Sequence, residues 1–337
     1  MIAAVLAAAV ALVATNDTLT AIDGIRVGHH TLAERPTGCT VILADGGAVA
    51  GVAQRGAAPG TRETDRLRSS DNGGRIDAVM LSGGSAYGLD AATGVMRWLD
   101  EHRAGRDASA ARVPIVASAV LIDLWVGGKP RIRPGGDCGY RAAAAATSAP
   151  VREGTVGAGA GATVGKVSGR ARAMKGGIGS AVIVLPGGLQ VAAIVAVNPL
   201  GDVIDPQTGR VVAGVRSADG SLADARTLLR TGATMAPSAA GENTTIGVVA
   251  TNARLTKADA NLVAQMADSG YARAITPIHT LADGDTIFSL ATGRWTGEGD
   301  AATIGALAAD VMAQAIVRAV TTATSAAGIP AARDLKR

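Results

Sequence analysis

The residues best suited to do chemistry stand at Asn243-Thr244-Thr245, where a polar turn passes without a spacer into the apolar run Ile246-Gly247-Val248-Val249. Asn and Thr are ordinary strand-opening residues. They also make a self-cleavage point. A threonine hydroxyl is a weak nucleophile unless a base stands beside it. A threonine that begins a chain supplies its own, because an α-amino group titrates at about 7.7–8.0. Amine and hydroxyl share one residue, so little orientational freedom remains to be lost. Thr244 gains that arrangement only if its hydroxyl attacks the Asn243 carbonyl and the resulting ester hydrolyses, leaving an α chain 1–243 and a β chain 244–337.

Other motifs fail on spacing. Gly161 to Lys166 resembles a phosphate loop, but the glycines are one residue too close and no Ser or Thr follows the lysine. Ser85 follows Gly83-Gly84 as at a nucleophile elbow, yet the closing glycine falls one place late, at Gly88. Its bases would be His102, about 25 Å away along the helix that Ser85 opens, or His279. The pair His29-His30 has no third ligand at metal spacing.

The elements that must position these groups are read from periodicity. Apolar runs at 39–53 flank Asp45-Gly46-Gly47 and predict a β-hairpin; a second hairpin joins 178–185 to 189–198 through Pro186-Gly187-Gly188. Strands are expected at 76–82, 113–122, 244–252 and 286–293, and helices at 86–102, 257–269 and about 300–325. Thr256 caps the 257–269 helix and Gly270 is read as its stop. Residues 215–243 lose periodicity apart from a helical piece, LADARTLLR, and read as a mobile surface segment. Hairpins and helices in mixed order, without a βαβ period, point to an α+β layered sandwich. No linker divides the chain, so 1–337 is taken as one domain.

Aromatic residues make up only 2% of the chain and Gly supplies 45 positions, so the core must be built of Ala, Val, Ile and Leu with backbones in close approach. The net charge of +4 is spread thinly, without a basic block, which argues against a nucleic-acid surface. Cys39 and Cys138 stand 99 positions apart and are expected to be reduced core residues. The apolar stretch at 1–20 is a signal or a start-site extension; it is too short to span a bilayer, and no other stretch is read as a membrane span. The expected location is cytoplasmic, with export as the alternative.

A series of stretches in order along residues 20–330 gives the chain a family resemblance: GIRVGHHT (24–31), GAAPGTRETD (56–65), LSGGSAYGLDAATGVMRWL (81–99), GAGAGATVGK (157–166), KGGIGSA (175–181), VNPLGDVID (197–205), ENTTIGVVATNA (242–253) and DGDTIFSLATG (283–293). It resembles the L-aminopeptidase/D-esterase and β-aminopeptidase family, which includes nylon-oligomer hydrolases. The resemblance implies a self-processing hydrolase of N-terminal amides, peptides or esters. It implies a four-layer αββα sandwich like N-terminal-nucleophile hydrolases with different connectivity, no cofactor or metal, and a homotetramer of αβ units. It assigns Thr244 as processing residue and nucleophile, Lys166 as the lysine holding its hydroxyl, and Asn198 as an oxyanion donor. Asp283 and Asp285 match an acidic pair that orients the nucleophile's ammonium and assists processing; some aminopeptidase members carry Ser and Glu there, so this pair is nearer the nylon-hydrolase pattern. Tyr140 matches an oxyanion-site tyrosine that not every member keeps, and Ser85 shapes the site rather than attacking. The alternatives are a nylon-type ω-amide hydrolase, an acyltransferase of the ornithine-acetyltransferase type, and a non-enzymatic binding or structural protein.

Overall fold

Strand Gly38–Gln54 is the spine of the molecule. In the computed structural model, which describes residues 16–71, 74–237 and 242–335, it runs for 17 residues where a hairpin was expected. Gly46 and Gly47 both take positive φ (78° and 76°) and bend the strand instead of reversing it. Its first half pairs antiparallel with Ile25–Thr31 and with Ile76–Ser82; its second half pairs with Thr286–Ala291. One hydrogen-bonded path of strands thereby folds into two facing sheets.

Beyond Ile76–Ser82 the first sheet continues through Val116–Val120 to the edge strand Gly60–Arg62. Beyond Thr286–Ala291 the second continues through Ile246–Thr251 and Gln190–Ala196 to Ile178–Val184. The Ile178–Val184 and Gln190–Ala196 strands form the expected antiparallel hairpin. Ile246–Thr251 and Thr286–Ala291 run parallel, in register Ile246 to Thr286.

Three apolar layers hold the stack together. Val27, Ile42, Val79, Ile194, Val248 and Phe288 meet between the sheets. Helices Ala91–Glu101 and Gly136–Ala144 cover the outer face of the first sheet, with Val41, Met80, Val95 and Leu99 between. Helices Lys257–Ala274 and Ala301–Thr321 cover the second, over Val195, Val249, Tyr271 and Ile316. The order helix, sheet, sheet, helix is the four-layer αββα sandwich. Strand Ile246–Thr251 is wholly buried because both its faces are covered, which is why its sequence does not alternate.

Small residues let the layers close up. Gly51 lies so near helix Lys257–Ala274 that a Cβ there would be 2.4 Å from Asn261 N. Gly270 does not stop that helix; it sits inside it, where a Cβ would meet Ala309 O of the neighbouring helix at 2.4 Å. At the other end the expected cap is present, Thr256 and Asp259 forming a reciprocal capping box. Helix Ala301–Thr321 is long and apolar enough to cross a membrane, but it is packed into the sandwich as a core helix. The cysteines are corrected too: Cys39 on the spine strand and Cys138 on helix Gly136–Ala144 are joined in a disulfide, their Cα atoms 6.0 Å apart. The fold brings a strand and its covering helix together, which a separation of 99 positions conceals in the sequence. Most of the N-terminal stretch read as a signal, and residues 238–241 of the aperiodic segment, lie outside the described residues.

Candidate active site

Thr244 sits at the head of strand Ile246–Thr251 and is buried, 2% exposed. The residues around it are laced to the 282–286 segment, prolonging the parallel pairing of the two strands. Asn243 N–H donates to Ala282 O (3.1 Å), and Asn243 O accepts from Gly284 N–H (2.9 Å). Thr245 N–H donates to Asp285 Oδ1 (2.8 Å), and Thr245 O accepts from Thr286 N–H (3.1 Å). The carbonyl that Thr244 would attack is thus already held by a backbone donor. Gly284 also abuts the nucleophile: a Cβ there would lie 2.9 Å from Thr244 Oγ1 and 2.5 Å from Ala58 O.

On the other side stands Asn198, fully buried at the end of the Gln190–Ala196 strand. Its backbone O accepts from Thr244 N–H (2.9 Å). Its side chain is oriented by Oδ1, which accepts from Thr163 N–H (2.9 Å), Thr163 Oγ1 (3.2 Å) and Lys166 Nζ (3.1 Å). Among the described residues, Nδ2 makes only long contacts, to Ile122 O (3.4 Å) and Glu242 O (3.5 Å). The anchored oxygen points the amide; the weakly engaged nitrogen is the group free to serve a developing anion.

Lys166 is seen on the Asn198 turn. Its ammonium donates to Thr163 O, Thr163 Oγ1, Asn198 O and Asn198 Oδ1, at 3.0–3.1 Å. It reaches Thr244 through a shared acceptor, because Asn198 O receives both Lys166 Nζ and Thr244 N–H. Burial pushes the Lys166 pKa down to about 7, against the attraction of Asp283 and Glu242.

The acidic pair divides its work. Asp283 is spent on its own loop and on the Asn198 turn: Oδ2 accepts from Thr280 N–H (2.8 Å) and Thr280 Oγ1 (2.6 Å), and Oδ1 from Leu200 N–H (3.3 Å). Asp285 faces the nucleophile strand through Thr245 N–H and accepts at Oδ2 from His279 Nδ1 (2.9 Å). Burial raises its pKa to about 6; the His279 hydrogen bond opposes that, and neighbouring Asp283 adds to it.

Tyr140 is corrected. It lies on helix Gly136–Ala144, outside the first sheet, where its hydroxyl donates to Glu101 (2.6 Å) and Arg97 covers its ring. Thr244 belongs to the second sheet, so a whole layer of the sandwich separates Tyr140's surroundings from the nucleophile. The donor that sequence reasoning missed is Gly284 N–H; the glycine between two aspartates was its only signal. His279 was read only as a partner for Ser85, and both its nitrogens are instead turned to Asp268 and Asp285.

The chain has known relatives. The model of peptidase family S58 matches residues 17–333. The chain belongs to that family. It is 41% identical to an uncharacterized aminopeptidase of Mycobacterium tuberculosis over 95% of this chain and 98% of that protein. It is 32% identical to the 6-aminohexanoate-oligomer endohydrolase of Paenarthrobacter ureafaciens, over 88% of this chain and 84% of the other. Among solved structures it is similar to a Burkholderia β-aminopeptidase (TM-score 0.67, 24% identity, 94% of this chain and 91% of that one). It is also similar to the L-aminopeptidase D-Ala-esterase/amidase of Ochrobactrum anthropi, a variant of the N-terminal-nucleophile hydrolase fold (TM-score 0.66, 19% identity, 91% and 86%). This S58 peptidase is therefore a hydrolase of peptide or amide bonds, of the aminopeptidase and amidase type.

Proposed function

We propose that the chain is a precursor that cuts itself between Asn243 and Thr244, and that Thr244 is then the nucleophile of an aminopeptidase. One observation carries the reading: Gly284 donates to the Asn243 carbonyl while its Cα faces Thr244 Oγ1, so hydroxyl, scissile carbonyl and a charge-stabilising donor converge on one glycine. In processing, the Oγ1–C bond forms, the C–N bond breaks, and the hydroxyl proton passes to the departing Thr244 nitrogen. Water then hydrolyses the ester to the Asn243 carboxylate and restores the hydroxyl.

In turnover, the freed Thr244 amine takes the Oγ1 proton as the substrate acyl group is attacked. Asn198 Nδ2 donates to the tetrahedral oxyanion, the leaving amine takes the proton, and water releases the acid. While Lys166 carries its proton, it disfavours a second one on the base. Two cations on one carbonyl, Asn198 O, repel, so the Thr244 amine loses its proton more readily beside Lys166.

A nylon-type ω-amide substrate is the second reading, favoured by Asp283-Gly284-Asp285 in place of a Ser and Glu pair. A homotetramer of αβ units completes the proposal. The cytoplasmic expectation meets one opposing observation, the Cys39–Cys138 disulfide, a bond that persists in oxidising compartments. Intact-mass measurement and N-terminal sequencing test the core of the reading. The purified 33.3 kDa chain should yield a fragment beginning at Thr244, and Thr244→Ala should remain whole and inactive. An active enzyme that is one unbroken chain would refute it.

A further inference from the structure

A chain of charged groups runs beneath the nucleophile from a part of the fold that the proposed mechanism does not use. Asp268 on helix Lys257–Ala274 lies 3.1 Å from His279 Nε2, an ion contact bent away from hydrogen-bond alignment. His279 Nδ1 lies 2.9 Å from Asp285 Oδ2, and the His279 backbone N–H reaches the same oxygen at 3.3 Å. The other oxygen of Asp285 holds Thr245 N–H, one residue beyond the nucleophile. His279 takes a left-handed backbone conformation (φ 57°), a strained position for a residue with a Cβ, so the loop holds the imidazole here at a conformational cost.

We propose that His279 is a positioning residue: its imidazolium, fixed by Asp268, keeps the buried Asp285 ionised, and the ionised Asp285 clamps Thr245 and thereby Thr244 in attacking position. The proposal rests on the Thr244 reading and adds to it a second group, besides the Thr244 amine, that shapes the acid side of the pH profile. A neutral carboxyl is a weaker acceptor for an amide than a carboxylate, so protonation of Asp285 would slacken the clamp. Asp285 is fully buried with Asp283 as its neighbour, and both conditions favour the neutral form; His279 opposes them.

Among the described residues, the titratable groups facing His279 come from one helix and from its own loop. Helix Lys257–Ala274 presents Asp268 and, at 6.3 Å between ring centroids, Tyr271. Its own loop presents Asp285, with Asp283 behind it. Tyr271 is fully buried and its pKa is raised well above the usual value, so it stays neutral and the charges around the imidazole are carboxylates. They hold the His279 pKa up near 9 against the opposing effect of burial.

The test compares wild type with His279→Gln and Asp268→Asn across pH 4.5–9.5, reading kcat/KM on an amino-acid p-nitroanilide and the rate of precursor cleavage by intact mass. The acid limb of His279→Gln should move upward by about one unit or more, with activity recovering toward wild type above about pH 8, where Asp285 is ionised without help. Asp268→Asn, which keeps the imidazole, should move the limb the same way by less and carries the test if His279→Gln does not fold. Loss that is equal at every pH, or an unmoved limb in both variants, would overturn the proposal. Asp285 is also titrated directly by carboxyl NMR in the Thr244→Ala precursor, with and without His279→Gln. Its titration should rise when His279 is replaced, and an unchanged value would overturn the link. A wild-type chain that neither cuts itself nor turns over would end the Thr244 reading, whereas the carboxyl titration reports on the His279–Asp285 link regardless.

Discussion

Replacing Asn198 by Asp separates the two reactions proposed for Thr244. In an aspartate the oxygen corresponding to Oδ1 keeps its donors, Thr163 N–H, Thr163 Oγ1 and Lys166 Nζ, and the backbone O keeps Thr244 N–H. What changes is the nitrogen. A second oxygen in its place faces Ile122 O and Glu242 O, both acceptors, and presents no proton to the oxyanion of a substrate. Loss of one oxyanion donor costs about 2.7–4 kcal/mol, or 10²–10³ in kcat. A negative charge in the same place adds to that, so kcat should fall by about 10³-fold or more. Processing should survive, because the Asn243 carbonyl is served by Gly284 N–H and not by Asn198 Nδ2. Asn198→Ala is the control. It removes the donor but also leaves Thr163 N–H without its buried acceptor, a cost of about 1–3 kcal/mol in stability that the aspartate avoids. The assay is kcat on an amino-acid p-nitroanilide, beside intact mass and thermal unfolding. An Asn198→Asp enzyme turning over within about threefold of wild type would refute the assignment. So would a folded variant that had lost self-cleavage together with turnover.

Gly284→Ala should leave a folded precursor that stays whole on intact-mass analysis, because the new Cβ would stand 2.9 Å from Thr244 Oγ1 and 2.5 Å from Ala58 O. Complete cleavage would show that the site has room to spare. Lys166→Met removes a group that, while protonated, repels the Thr244 ammonium; the amine pKa should rise, so the lower limb of the kcat/KM profile moves to higher pH and activity at pH 7 falls. A limb that stays in place would remove Lys166 from setting the base. Cys138→Ser opens a cross-link between positions 99 residues apart, whose loop entropy is worth at most about 4.7 kcal/mol. Its melting temperature should drop by several degrees, and wild type in reductant should follow it; an unchanged melt in both would deny the bond any part in stability.

The sequence by itself determined the positions of several core strands, and it supplied the residue proposed as nucleophile. Ile76–Ser82 and the Ile178–Val184 hairpin were legible because apolar runs and turn glycines act locally. The proposal for Asn243-Thr244 comes from the sequence, because an N-terminal threonine needs nothing but its own amine. Tertiary structure decided everything that depends on one segment meeting another. Gly46-Gly47 has the composition of a hairpin turn, and only pairing with Ile76–Ser82 on one side and Thr286–Ala291 on the other makes it a bend in a continuous strand. Tyr140 is placed by its helix on an outer layer, Cys39 and Cys138 are brought together across a sheet and its cover, and His279 is wedged between a helix and the Asp283-Gly284-Asp285 turn. Periodicity reports which face of an element is buried. It carries no information about which distant element covers that face, and the contacts of this site lie in that second relation.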